Sequence, residues 1–156
     1  MTLRKKSLLV VDASVVRLAG ETEHPMSSSC RECLESIRLI CHHVALTPPV
    51  WEEWKRHMSR FSRKWLRSMA ARKKHPETVI LARVPLDMRA YPTPAREQIE
   101  KDLCLLQAAL AADRILVTRD DRLKVALEQR PDGVVLLRSI RWINPVQDGA
   151  KAIEGL

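Results

Sequence analysis

Short apolar runs alternate along this chain with longer stretches of helical periodicity. Residues 7–11, 44–46 and 115–118 are runs of strand length, and each is followed by a polar or acidic residue. Strands that alternate with helices form a parallel sheet, because each crossover connection packs a helix onto a face of that sheet. The sequence therefore predicts an α/β protein with a central parallel sheet covered on both faces.

Start signals and apolar stripes predict the helices. The Thr-Pro-Pro sequence at 47–49 supplies a cap and first-turn prolines for one long helix that runs to about residue 72. Thr-Pro at 93–94 opens another helix, with the stripe Ile99, Leu103, Leu106 and Leu110. The remaining predictions are helices at 14–19, at 27–43 with Ser27 or Ser28 as N-cap, and at 121–129, strands at 134–137 and 142–143, and a strand or helix end at 78–84.

Length and charge limit the possible classes of function. The 156 residues suit one domain, which we place at 1–144, with a loosely held tail at 145–156. The 27 Lys and Arg residues outnumber the 19 Asp and Glu residues, and the net charge of +8 favours nucleic acid or an anionic membrane surface as partner. No stretch approaches the roughly 20 apolar residues of a spanning helix, so we expect no membrane and a cytoplasmic protein.

Acidic residues follow two of the predicted strands directly. Asp12 follows the first run, and Asp120, or its neighbour Asp121, follows the run at 115–118. The carboxyl ends of parallel strands share one edge of the sheet, which is where such sheets bind ligands. Carboxylates brought together there repel one another, and a divalent cation would relieve that repulsion.

Two further acids come from predicted helices. Glu53, or its neighbour Glu52, lies in the first turns of the helix after 44–46, and Asp102 lies beside the stripe of the helix from residue 93. A set of carboxylates without His or Cys suits Mg²⁺ or Mn²⁺ better than Zn²⁺. Ordinary structural roles compete with this interpretation: Asp102 could pair with Arg96 or Lys101, and the acids at 120 and 121 could cap the next helix.

The cysteine pattern Cys30-x-x-Cys33, followed by Cys41-His42-His43, could indicate zinc. The cysteines share a helical stripe with Leu34 and Ile37, where a small hydrophobic side chain is expected. Zinc sites prefer loops with paired spacings, which are absent here. Core packing is therefore the favoured interpretation.

Three segments together resemble the PIN domains, and in particular their VapC-like members. These segments are Leu9-Val10-Val11-Asp12-Ala13-Ser14, the stretch from Leu46 to Trp54, and Lys101-Asp102-Leu103 running through to Asp120. The resemblance implies a three-layer α/β/α sandwich and a metal-dependent endoribonuclease. It also implies RNA, or alternatively DNA, as substrate, a homodimer, and an antitoxin-like inhibitor protein as partner.

Matched position by position, the resemblance implies a set of site residues. Ser14 and Thr118 match positions that support the acids by hydrogen bonds. The acids that match the catalytic, Mg²⁺- or Mn²⁺-binding positions are Asp12, Glu53, Asp102 and Asp120. Glu53 is preferred to Glu52 because the family's acid usually precedes an apolar residue, here Trp54. Residues 72–92 match nothing in the family, and their role stays open.

A row of arginines is the candidate surface for nucleic acid. On one continuous helix the spacing of seven between Glu53, Arg60 and Arg67 would lead this row away from the metal site. A solvated helix face is an equally good explanation of the row. Trp51 and Trp65 could stack bases, although core packing is favoured for both. The row consists of Arg56, Arg60, Arg63 and Arg67.

Rival functions share parts of this pattern. A catalytically silent PIN-like domain would bind nucleic acid or assemble with partners. A toxin-like binding module would have as its main partner an inhibitory protein that inserts a basic side chain among the acids. A response-regulator-like phosphoacceptor also has acids at strand ends, but it needs an Asp on a central strand and a late Lys. No predicted strand supplies that Asp, so metal-assisted phosphodiester hydrolysis is the preferred prediction.

Overall fold

The computed structural model describes residues 6–74, 76–80 and 82–156. Within them, five strands form one sheet in which every neighbouring pair is parallel. The order across the sheet is β3-β2-β1-β4-β5. The strands are β1 (Leu8–Val11), β2 (His43–Leu46), β3 (Glu77–Thr78), β4 (Ile115–Val117) and β5 (Arg141–Ile143).

Helices cover both faces of this sheet. Leu9, Val10 and Val11 of β1 are all fully buried, and successive side chains of a strand point to opposite faces. The predicted three-layer α/β/α sandwich is therefore confirmed. The helices are α1 (Ala13–Leu18), α2 (Pro25–Ile40), α3 (Pro48–His57), α4 (Arg60–Ala71), α5 (Thr93–Lys101), α6 (Leu103–Ala111), α7 (Arg122–Leu127), α8 (Pro131–Ser139), α9 (Pro145–Asp148) and α10 (Lys151–Glu154).

The N-cap of helix α2 is His24, three residues before Ser27 and four before Ser28, the predicted N-cap positions. Pro25 occupies its first turn, and the Nδ1 atom of His24 accepts a hydrogen bond from the Met26 N–H at 3.3 Å. The prediction that Ser27 or Ser28 caps this helix was wrong because the proline sets an earlier start. Cys30 and Cys33 are fully buried on α2, as core packing predicts.

The long helix predicted from residue 48 to 72 is two helices, α3 and α4. Ser59 separates them, and its hydroxyl accepts a hydrogen bond from the Ser62 N–H at 3.1 Å as the N-cap of α4. Its own N–H donates to the Val16 carbonyl at 3.0 Å, and its hydroxyl donates to the Ala19 carbonyl. This tertiary attachment to α1 breaks the helix, so Arg56 and Arg60 lie on different helices.

A second break divides the helix predicted from residue 93 into α5 and α6. Asp102 lies at the break, with φ −106° and ψ 11°. The predicted stripe still faces inward on both helices, since Ile99 and Leu106 are fully buried and Leu103 and Leu110 are partly buried. The break at Asp102 therefore interrupts the helix without exposing the stripe.

The strand predicted at 134–137 was wrong, because these residues belong to α8. Pro131 starts the helix, and the buried residues Gly133, Leu136 and Ile140 recur at spacings of three and four, which is a helical pattern. The place beside β4 is taken by β5, with Ile143 opposite Val117. The strand predicted at 142–143 is thus confirmed.

The last twelve residues are not a loosely held tail, contrary to our expectation. Both short helices that they form, α9 and α10, pack against α2, and Ile153 is fully buried. The side-chain oxygen of Asn144 caps α9 by accepting hydrogen bonds from the N–H groups of Val146 and Gln147. This segment completes the core on the α2 side.

The open prediction at 78–84 lies partly outside the described residues, since Leu81 is not among them. Strand β3 pairs with β2 through Glu77 and Thr78. From residue 82 the chain continues without a helix or strand to a short 3-10 helix at Met88–Ala90.

Candidate metal centre

Two of the predicted site positions meet where neighbouring strands end. Val11 of β1 pairs in register with Val117 of β4, so the next residues, Asp12 and Thr118, are neighbours at the carboxyl edge of the sheet. The Asp12 N–H continues the ladder by donating to the Val117 carbonyl at 2.8 Å. The backbone of Asp12 is therefore fixed by the sheet itself.

Two hydroxyl groups hold the Asp12 carboxylate. Its Oδ2 accepts hydrogen bonds from the Ser14 hydroxyl and from the Thr118 hydroxyl, each at 2.8 Å. The Thr118 oxygen in turn accepts a hydrogen bond from the Asp120 N–H at 3.1 Å. Thr118 is only 4% exposed, so its hydroxyl group is shielded from water, whereas Asp12 and Ser14 are partly buried.

Glu53 lies in the same region because the residue after it, Trp54, attaches α3 to the end of β1. The Trp54 indole N–H donates to the Val11 carbonyl at 2.8 Å, and Trp54 itself is fully buried. That contact places the second half of α3 against the end of β1, directly before Asp12. Glu53 then lies at the rim with its side chain 49% exposed, 3.8 Å from Arg56 Nη1 and 3.6 Å from His57 Nε2.

Asp12, Glu53 and Asp102 line one cleft of about 370 Å³. Glu52 does not line it and instead contacts Lys55 at 2.7 Å. Helix α3, the start of α1 and the α5–α6 break form its walls. The other lining residues are Ala13, Pro49, Val50, Glu100, Lys101, Cys104 and Leu105.

The cleft contains an acid and a thiol that we did not single out from the sequence. Glu100 lies two residues before Asp102, so proximity to a predicted site residue was the available signal. Cys104 lies on α6, two residues after Asp102, and is partly buried. A single cysteine carries no spacing signal, so the sequence alone predicts no role for this thiol.

Burial raises the pKa of Asp102, and a hydrogen bond from the Gln98 amide opposes that rise. The negative charges of Asp12 and Asp120 raise this pKa further. Burial likewise raises the pKa of the Cys104 thiol, with added contributions from Asp102, Asp12 and Glu53. The acids are therefore close enough to interact electrostatically, which is the situation that a cation relieves.

Asp120 lies beside the cleft and does not line it. Arg122 holds its carboxylate: the guanidinium Nε donates to Oδ1 at 2.9 Å and to Oδ2 at 3.0 Å, and Nη2 donates to Oδ2 at 2.6 Å. These bonds lower the pKa of Asp120. Asp121 faces elsewhere and accepts a hydrogen bond from the Gln147 amide at 3.1 Å.

Within the residues that the structure describes, no three His, Cys, Asp or Glu side chains are grouped closely enough to hold a metal ion. The reason is local, since Asp102 faces Gln98 and Asp120 faces Arg122. Carboxylate and hydroxyl oxygens are nevertheless the donors that Mg²⁺ and Mn²⁺ prefer. The donor set fits a hard cation, and rotation of these side chains is needed to complete a coordination shell.

The arginine row is exposed but is not one continuous surface stripe on one helix. Arg56 lies in the last turn of α3, whereas three arginines share a face of α4 at spacings of three and four residues. Our expectation of a seven-residue repeat leading from Glu53 along a single helix was wrong, because the chain breaks at Ser59. The arginines on α4 are Arg60, Arg63 and Arg67.

The fold and this site define an α/β sandwich with an acidic cleft at the carboxyl edge of a parallel sheet. In comparisons with known proteins, no family model matches the sequence and no curated protein matches it. Among the helices of the described residues, none combines the length and the apolar character needed to cross a membrane.

Proposed function

We propose that this protein is a PIN-like, Mg²⁺- or Mn²⁺-dependent nuclease that hydrolyses RNA in the cytoplasm. The observation that carries the proposal is the cleft in which Asp12, fixed by Ser14 and Thr118, faces Glu53 and Asp102. Hydrogen-bonded support of a metal-binding carboxylate is what a working cation site requires. The order of these acids along the chain is also the order in the family that the sequence resembles.

The acids have separate roles in the proposed reaction. Asp12 and Asp102 would hold the cation, with Asp120 joining them directly or through water. Bound Mg²⁺ or Mn²⁺ supplies charge neutralisation at the phosphodiester and a water of lowered pKa. Glu53, at the exposed rim, is placed to orient the attacking water or to complete the ligand set.

The charge distribution supports a polyanionic substrate. The net charge is +8, although the cleft itself is acidic. Arg60, Arg63 and Arg67 give α4 an exposed cationic face that would hold phosphates without reading sequence. RNA is favoured over DNA by analogy with small PIN-like proteins.

A catalytically silent nucleic-acid binding or assembly module is the second candidate. It is favoured by the bidentate contact of Arg122 with Asp120, which neutralises one of the acids without a metal. A silent domain would keep the fold and the basic face and would cleave nothing in any divalent cation.

Adjacent glutamates offer a matched test. Glu53→Gln should lower the rate of cleavage of labelled single-stranded RNA in Mn²⁺ by roughly 100-fold or more, because it removes a group of the reacting site. Glu52→Gln removes the same charge one residue away, outside the cleft, and should leave that rate within about twofold. Asp12→Asn should abolish cleavage.

Circular dichroism of each variant checks that the fold is retained. Equal loss in Glu52→Gln and Glu53→Gln would contradict the assignment of the cleft. Cleavage that persists in EDTA would contradict the dependence on metal, and no cleavage by the wild type in Mg²⁺ or Mn²⁺ would favour the silent module.

A further inference from the structure

A second concave surface lies on the other side of α3 from the acidic cleft. It is an apolar groove of about 470 Å³ between α3 and α4, at the carboxyl end of β2. Pro48 lines this groove, whereas the adjacent Pro49 lines the cleft, so the two sites flank the start of α3. The groove is lined by Leu46, Thr47, Pro48, Trp51, Leu66, Ala70 and Pro76.

One polar group in the lining of this groove has no partner. Thr47 is 1% exposed, and its hydroxyl makes no hydrogen bond with the described part of the chain. A threonine at an N-cap normally accepts a hydrogen bond from the second or third helical residue. Pro49 has no N–H to donate, and no cap bond to Thr47 forms. Buried hydroxyl groups are nearly always satisfied, so this one lacks a hydrogen bond that a ligand reaching it from the groove would supply.

Trp51 gives the groove an aromatic surface. It is only partly buried, unlike Trp54 and Trp65 in the core. The Lys55 ammonium lies over its ring, 5.9 Å from the ring centroid, and also contacts Glu52 at 2.7 Å. An aromatic ring next to a cation is the arrangement with which proteins stack a base and hold its phosphate.

We infer that this groove binds one unpaired base of a single-stranded nucleic acid, with Trp51 as stacking surface and the Thr47 hydroxyl as hydrogen-bonding partner of the base edge. This rests on the proposed function, since the same strand would carry its phosphate across the start of α3 to the acidic cleft. A base stacked inside a duplex cannot enter a groove of this kind, so the substrate class is single-stranded.

A second copy of the chain is a poorer occupant. The net charge of +8 makes two copies repel each other. A stable protein interface also buries roughly 1,000 Å² or more, which a groove lined by seven residues does not supply by itself. Its volume does lie in the range of about 300–1,000 Å³ that is typical of small-ligand sites.

Binding measured in EDTA tests the inference without cleavage. The probe is a fluorescein-labelled single-stranded RNA of about ten nucleotides, followed by anisotropy. Trp51→Ala should weaken binding roughly tenfold, and Trp51→Phe by much less, because one stacked base is lost. Phe61→Ala is the matched control: Phe61 is a partly buried aromatic residue of α4 that does not line the groove, and its variant should bind as the wild type does.

Thr47→Val tests the hydroxyl separately. Valine has nearly the same shape, so the melting temperature should stay the same or rise when an unbonded buried hydroxyl is removed. Binding of the RNA should nevertheless weaken about threefold to tenfold, since a hydrogen bond to the base is lost. Unchanged binding in both Thr47→Val and Trp51→Ala would overturn the inference.

A series of RNAs, each lacking one base at a different position, identifies the occupant. One member of the series should bind the wild type weakly and should show no further loss with Trp51→Ala. If Trp51→Ala weakens every member equally, no single base occupies the groove, and if it converts a dimer to a monomer in light scattering, the groove holds protein. Either result overturns the inference. If Trp51→Ala leaves both RNA binding and cleavage unchanged, the base-binding groove is overturned and the proposed nuclease function is not. If Trp51→Ala weakens RNA binding but the wild type cleaves nothing, the nuclease function is overturned and the groove is not.

Discussion

Both hydroxyl groups around Asp12 donate to the same carboxylate oxygen, Oδ2. Among the described residues no donor binds Oδ1, and Asp12 makes no side-chain cap bond to α1. A carboxylate held at one oxygen keeps its orientation while the other oxygen stays available to a cation. Asp120 differs, because Arg122 donates to both of its oxygens. A metal ion bound at the proposed site would therefore compete with this guanidinium for Asp120.

Arg122→Ala should remove that competition. Binding of Mn²⁺, measured by calorimetry, should strengthen on the order of threefold, a modest gain because the ion pair is exposed and screened by water. Arg119→Ala is the matched control, since Arg119 lies between Thr118 and Asp120 and carries the same charge, but among the described residues only Arg122 pairs with the Asp120 carboxylate. Equal gains in the two variants would indicate only a general charge effect, and no gain in either would show that Asp120 is not a ligand.

Element by element, the sequence predicts most of the sheet and fewer of the helix ends. The runs before Asp12 and Thr118 are short and apolar, which is enough to identify β1 and β4. The break at Ser59 depends on the Val16 carbonyl, which is distant in sequence, so no local spacing reveals it. Residues 134–137 are an apolar run that fits a buried strand or a helix equally well. The start signal for the helix is Pro131, which occupies the first turn of α8.

For the candidate site, the same limit applies to side chains. Spacing predicts which strand ends Asp12 and Asp120 follow, because that depends on local runs. It does not reveal that Arg122 turns the Asp120 carboxylate, or that the α5–α6 break buries much of Asp102. Such contacts depend on the final packing of several elements.

The exposed arginines of helix α4 are predicted to contact the phosphates of a nucleic acid. Replacing both Arg60 and Arg67 by Ala should weaken RNA binding and reduce its salt slope by about two, because two phosphate contacts are lost. Stability should change by no more than about half a kcal/mol per site, since both side chains are exposed.

Two exposed arginines near α8 supply the control for this double variant. Arg130→Ala with Arg138→Ala removes the same net charge from another part of the surface. If both double variants lose RNA affinity equally and have equal salt slopes, the arginines of α4 contribute only general positive charge and no specific phosphate contacts. Substrate would then approach over a different face.

Asp132, in the first turn of α8, joins that helix to the connection at 82–92, which is distant in the sequence. Its carboxylate accepts hydrogen bonds from the Asp87 N–H at 2.8 Å, the Tyr91 hydroxyl at 2.7 Å and the Gly133 N–H at 2.8 Å. Gly133 is required beside it, because a Cβ there would meet the Leu127 carbonyl oxygen at 2.0 Å. One side chain thus ties together segments 45 residues apart in the sequence.

This contact predicts part of the dependence of stability on pH. Burial alone would raise the pKa of Asp132, but the hydrogen bonds from Asp87, Tyr91 and Gly133 outweigh it and lower this pKa. The folded-state pKa therefore lies below the unfolded value of about 3.9. Asp132 contributes its full stabilisation above that value and loses it as the pH falls through the folded-state pKa.

Asp132→Asn should therefore lower the free energy of unfolding at pH 7 by about 1 kcal/mol, since the hydrogen bonds to a charged group weaken but part of the site is exposed. The difference from the wild type should shrink below about pH 4 and nearly vanish once Asp132 is protonated in the folded state. Urea unfolding at a series of pH values measures both. Glu128→Gln, at an exposed acid that accepts no hydrogen bond from the described residues, should show no such trend. A difference that stays constant with pH would mean that the carboxylate charge of Asp132 contributes nothing, and that its hydrogen bonds alone connect residues 82–92 to α8.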